Sequence, residues 1–178
     1  MMFFSCCQYG YIHQFKTYFE RVGLDKNISM KLFFRTQVEQ SFDYVSSRFD
    51  KDLFESLKPP VMSLEVVRFD GCQTGDMVEL RMGLGPFKQD WHSEITYHDF
   101  TVNRFVFHDK GILLPPPLKY WLHQHIVLPS ESSSGTVIID DIEFRSGIKL
   151  LDYLIYPFMY LLFALRKPVY KQYFAIKS

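Results

Sequence analysis

Two histidines and an aspartate are the residues of this sequence whose types and spacing best suit chemistry. In Trp121-Leu122-His123-Gln124-His125 the imidazoles stand two residues apart, and Asp140 follows beyond a Ser-rich turn, Pro129 to Gly135. Side chains alternate across a strand, so Trp121, His123, His125 and Val127 share one face while Leu122, Gln124 and Ile126 take the other. In the next segment Thr136, Ile138, Asp140, Ile142 and Phe144 share a face, opposite Val137, Ile139, Asp141 and Glu143. A hairpin through the turn makes the two segments antiparallel neighbours; with both sets turned inward, His123, His125 and Asp140 meet. A buried carboxylate beside an imidazole favours the charged forms of both and fixes the tautomer. Such a cluster serves as a polar clamp for a ligand carbonyl or hydroxyl, as an acid–base pair for a cyclisation, or as a structural hydrogen bond between strands. Two histidines at this spacing also begin a metal site, but the pattern supplies no third ligand, so no metal is expected. Alternation leaves the phase open, because Leu122 and Ile126 make the opposite face apolar too.

Other chemistry is sparse. Trp91, Ser93, Ile95 and Tyr97 form one face of a further strand, as pocket lining or as core, with His92, Glu94, Thr96 and His98 opposite. Arg68 and Glu79 lie on neighbouring predicted strands and suit a cross-strand pair. Cys72 follows Gly71 in a turn with no base near it in sequence. Phosphate-cradling glycine loops, the Gly-x-Ser-x-Gly elbow and His-Glu-x-x-His are absent from the sequence. No cofactor is implied.

The elements that must position these residues begin with a strand over Leu32 to Glu39. Ser41 caps a helix carrying Phe42, Val45 and Phe49, and Asp50 caps a second with Leu53, Phe54 and Leu57, which Pro59-Pro60 ends. Strands follow over Val61 to Phe69, Met77 to Met82, Trp91 to Tyr97, Asn103 to His108, Lys119 to Leu128 and Thr136 to Arg145. Turn signals separate them, among them Gly83 to Pro86 and Asp109-Lys110-Gly111. Pro115-Pro116-Pro117 is a stiff extended link between strands, or the frame of a pocket rim. Ile148 to about Phe174 reads as one long helix, or two joined near Pro157 or Pro168. Its stripe of Leu151, Leu154, Ile155, Phe158 and Leu162 is core first and ligand wall second. Consecutive strands with short links favour an antiparallel sheet and an α+β fold.

The 178 residues suffice for one domain and bury roughly two-thirds of the unfolded surface, so neither metal nor disulfide is needed for folding. Twenty basic residues balance twenty acidic ones, which removes the electrostatic footprint of a nucleic-acid binder. Eighteen Phe and eleven Tyr imply a bulky core or an enclosed apolar surface. Cys6, Cys7 and Cys72 are an odd set without metal-ligand spacing, pointing to a reducing, cytoplasmic location. The apolar run Tyr153 to Leu165 falls short of the about 20 residues that span a bilayer, so no stable membrane insertion is expected. Residues 1–29 read as an N-terminal extension, and the patterned domain as 30–178.

The layout, with Arg68-Phe69-Asp70-Gly71, Gly75-Asp76, Trp91, Trp121-Leu122-His123-Gln124-His125 and Gly135-Thr136 to Phe144, resembles the START-like (SRPBCC) superfamily over about residues 30–178. Its bacterial branch with a Trp-x-His-x-His strand followed by Gly-Thr-x-x-x-Asp is the most similar. The resemblance implies a helix-grip fold, a curved seven-stranded antiparallel sheet wrapped around a long C-terminal helix, with a hydrophobic pocket between them. It turns Trp121, His123, His125, Ile138, Asp140 and Ile142 inward, and joins to them Trp91, Ser93, Ile95, Tyr97, Leu154 and Phe158 as ligand-binding residues. The function it implies is binding or carrying a hydrophobic small molecule, a lipid, isoprenoid or aromatic. Two alternatives stand beside it: a polyketide cyclase or dehydratase with His123, His125 and Asp140 as acid and base, and a protein-interaction module whose cavity is vestigial.

Overall fold

The alternation of the two central segments becomes a ladder. β6 (Tyr120–Pro129) pairs antiparallel with β7 (Thr136–Arg145), His125 opposite Asp140 and His123 opposite Ile142. A computed structural model of the protein describes residues 29–60, 62–131 and 135–175. Residues 1–28, most of the expected N-terminal extension, lie outside the described residues, as does Val61 at the start of one expected strand. Around the central pair run β1 (Met30–Val38), β2 (Ser63–Phe69), β3 (Met77–Leu84), β4 (Phe87–Thr101) and β5 (Arg104–Leu113). All seven strands form one antiparallel sheet in the order β1-β7-β6-β5-β4-β3-β2.

The phase is now decided. Trp121, His123, His125 and Val127 are buried, as are Thr136, Ile138, Asp140, Ile142 and Phe144. Bulges bend the sheet and re-aim side chains. In β4 the register shifts between His92 and Ser93 and again between Ile95 and Tyr97. The second shift reverses the alternation: Ile95 is buried, whereas Tyr97 is 42% exposed and packs on His108, its ring centroids 4.7 Å away. At the start of β7 a Cβ on Gly135 would stand 2.2 Å from the Val38 carbonyl oxygen, so only glycine lets β1 approach. The neighbouring Thr136 hydroxyl donates to the Gln40 carbonyl at 2.7 Å.

Helices α1 (Phe42–Ser47) and α2 (Lys51–Ser56) start where the caps predict, Ser41 Oγ accepting from the Tyr44 amide and Asp50 Oδ1 from the Leu53 amide. The C-terminal helix is two, α3 (Lys149–Ala164) and α4 (Arg166–Tyr173), meeting at Leu165. Its inward stripe differs from the expected one. Asp152, Met159 and Phe163 are buried, with Tyr170 and Phe174 beyond, while Leu154 is 64% exposed. The physical reason is Asp152, whose Oδ1 accepts the Ser146 amide at 2.6 Å and so pins the first turn of α3 inward. Almost every face of α3 is apolar, so spacing of leucines alone could not choose among them.

Candidate functional site

Between α3 and the sheet the side chains leave an open cavity of about 400 Å³. That lies within the range of roughly 300–1,000 Å³ typical of small-molecule pockets. Its walls are mostly apolar: Leu57 beyond α2, Leu64, Leu80 and Met82 from the sheet, Pro115 to Pro117 from the β5–β6 link, and Ile155, Met159 and Leu162 from α3. Trp91 and Trp121 stand edge to face, centroids 4.8 Å apart, as part of the lining. Three charged or titratable groups also line it: Asp109, His123 and Arg166.

Behind that wall Asp140 is the hub. Its Oδ1 accepts from His123 Nε2 at 2.9 Å and from the Tyr170 hydroxyl at 3.4 Å, and lies 3.6 Å from His125 Nδ1 and 3.9 Å from an Arg166 guanidinium nitrogen. The carboxylate accepts only, so the His123 proton resides on Nε2 and Nδ1 keeps its lone pair. The two imidazoles are in contact, their planes tilted by 39° and centroids 3.7 Å apart. Both pKa values are driven well below the usual histidine range, by burial first; Arg166 adds to this at His123, and its neighbour imidazole at His125. Here the expectation that Asp140 would favour charged histidines is corrected: desolvation wins, and the Asp140 charge is matched by Arg166 instead. Burial and Asp140 push the Tyr170 phenol well above its ordinary range.

Asp109 is the residue the sequence reading missed. Asp109-Lys110-Gly111 is not a turn but the middle of β5, and Phe105, Phe107 and Asp109 are all buried. Following the alternation two residues further would have found it. Burial raises its pKa to about 6, an effect opposed by Ser93, Arg166 and the Trp121 indole. Its cross-strand partner is His123. Arg166 directly follows the apolar run Tyr153 to Leu165, and the spacing Met159, Phe163, Arg166, Tyr170 places it on the inward stripe. Its guanidinium lies over the Phe163 ring, 4.1 Å from the centroid.

Of the residues singled out from sequence, Trp91, Trp121, His123 and Phe158 line the cavity. Ser93 is buried and accepts from the Trp91 indole at 2.9 Å. Ile95 and His125 line a second hollow of about 20 Å³ beneath α2, bordered also by Asp109. Ile138, Asp140 and Ile142 are buried without being among the lining residues of either hollow. Tyr97 and Leu154 face outward, for the reasons of bulge and helix phase given above. The proline link lines the cavity. Arg68 pairs with Glu79 at 3.4 Å. Burial pushes the Cys72 thiol up to about 12, away from the thiolate form a nucleophile uses.

A curved seven-stranded sheet closed over a C-terminal helix, with a cavity between, decides the architecture. It is the helix-grip fold. Solved helix grips with similar backbones include ginseng major latex-like protein 151 from Panax ginseng, at 12% identity and a TM-score of 0.56, covering 84% of this chain and 100% of that one. Protein Ms6760 from Mycobacterium smegmatis matches at 16% and 0.56, over 82% and 95% of the two chains. Norcoclaurine synthase from Thalictrum flavum, solved with dopamine and hydroxybenzaldehyde, matches at 16% and 0.52, over 80% and 87%. At these identities the likeness is one of helix-grip backbone. No family model and no curated protein sequence matches the chain. Among the described residues no helix is long and apolar enough to cross a membrane.

Proposed function

We propose that the protein binds or carries a hydrophobic small molecule, a lipid, isoprenoid or aromatic bearing one polar group, within residues 30–178. The observation that supports this reading most is the open cavity of about 400 Å³, whose apolar walls meet Asp109, His123 and Arg166 along one part of the lining. Burial of an apolar body supplies the affinity, and the polar residues orient its oxygenated end. Norcoclaurine synthase, a helix grip holding two small aromatics in its crystal structure, is a precedent for such an occupant. Zero net charge supports a ligand rather than a nucleic acid as partner, and the odd number of cysteines supports a cytoplasmic setting. Native mass spectrometry of gently purified protein, followed by solvent extraction, tests the reading. A discrete added mass that extracts as an apolar compound is expected. Clean apoprotein that also fails to bind an apolar fluorescent probe would overturn it.

A further inference from the structure

We propose that Asp109, His123 and His125 form a binding site for one divalent transition-metal ion, of the zinc or ferrous-iron class, in the inner wall of the cavity. One ligand atom from each residue lies within 4.8 Å of the others, and all three residues are buried. The sheet delivers them: Asp109 is the cross-strand partner of His123, and His125 lies two residues further along the same face. Metal bonds of about 2.0–2.2 Å require the triad to contract by roughly 1 Å on binding, within reach of side-chain rotation.

Two further observations point to a ligand. Asp109 Oδ1 is buried with no hydrogen-bond partner, although groups so placed are normally satisfied, and His125 Nδ1 is buried and makes no hydrogen bond, with Asp140 Oδ1 3.6 Å away. Asp140 holds His123 through Nε2, leaving Nδ1 to bind, which is the carboxylate–histidine brace found behind metal-ligating imidazoles. Charge agrees with this assignment. Arg166 stands 3.9 Å from Asp140 Oδ1, and Asp109 supplies the triad's one carboxylate beside two imidazoles, a donor set that takes up a cation once deprotonated. Two nitrogens and one carboxylate suit a transition ion; calcium and magnesium call for oxygen-rich sets. Asp109 and His123 border the large cavity, so the remaining coordination positions face whatever occupies it.

The inference goes beyond apolar-ligand binding and does not depend on it. Full-length protein is treated with chelator, dialysed and titrated with Co²⁺, whose visible ligand-field absorption reports the donor set. The expected result is saturation at one ion per chain, displacement by Zn²⁺, and affinity weakened by ~10-fold or more in Asp109→Asn and His125→Gln. His108→Gln, an imidazole on the outer face of β5, leaves affinity unchanged. No saturable absorption, or affinity unaltered in the two ligand variants, overturns the proposal. So does thiolate charge-transfer absorption, which would place the ion on a cysteine. Should the variants misfold, thermal unfolding of the unaltered chain still decides: Tm rises with Zn²⁺ but not with Mg²⁺, and a flat response overturns the site. Binding of an apolar fluorescent probe to the chelated protein reads the ligand hypothesis separately.

Discussion

Asp140 has one oxygen, Oδ1, within reach of His123, His125, Arg166 and Tyr170. Removing its charge therefore strands a guanidinium that is largely withdrawn from water. Asp140→Asn, nearly isosteric, is expected to lower unfolding free energy by roughly 3–5 kcal/mol in urea titrations, because an uncompensated buried charge remains. Tyr170→Phe, which deletes only a long hydrogen bond, is expected to cost about 1 kcal/mol. Equal losses in the two variants would contradict the hub. The histidine–aspartate pairing was legible at this scale, since two strands in alternation joined by a short turn put those residues on neighbouring positions. Their protonation was not. It depends first on burial and then on Arg166, which lies 26 residues beyond Asp140 in the sequence and enters only when α4 docks.

The element scale turns on ends and irregularities. Ser41 and Asp50 stand in the sequence as caps and act as caps, because an N-cap is a local device that needs only its own backbone. The first turn of α3 is anchored differently, by Asp152 accepting the buried Ser146 amide. Asp152→Ala removes that acceptor and leaves the amide unpaired, with an expected loss of about 2 kcal/mol by chemical denaturation. A neutral outcome would mean that α3 is seated by its apolar residues alone. Tyr97 shows what local pattern misses. A single-residue bulge before it exchanges inside for outside, and no turn residue marks the event. The same holds for β5, where Asp109-Lys110-Gly111 has turn composition but all three residues pair with β4, and Asp109 and Lys110 pair with β6 as well.

For the whole molecule the decisive quantity is the space between α3 and the sheet. Leu162 lines that space from α3, and Leu162→Trp adds bulk where no neighbour need move. The variant is expected to bind an apolar fluorescent probe ~10-fold or more weakly while its unfolding free energy changes by less than about 1 kcal/mol, unlike overpacking of a filled core. Undiminished probe binding would put the probe elsewhere. By itself the sequence determined the strands, the two capped helices, the antiparallel order and the sharing of one face by His123, His125 and Asp140, all of which follow from periods and caps acting over a few residues. Only the tertiary structure decided that this face is the concave one, that Asp109 and Arg166 join it, and that the interior stays open. Alternation tells which side chains travel together, but Leu122 and Ile126 are as apolar as the face that was buried. Curvature comes from bulges, and cavity volume from how far apart the facing side chains hold two layers.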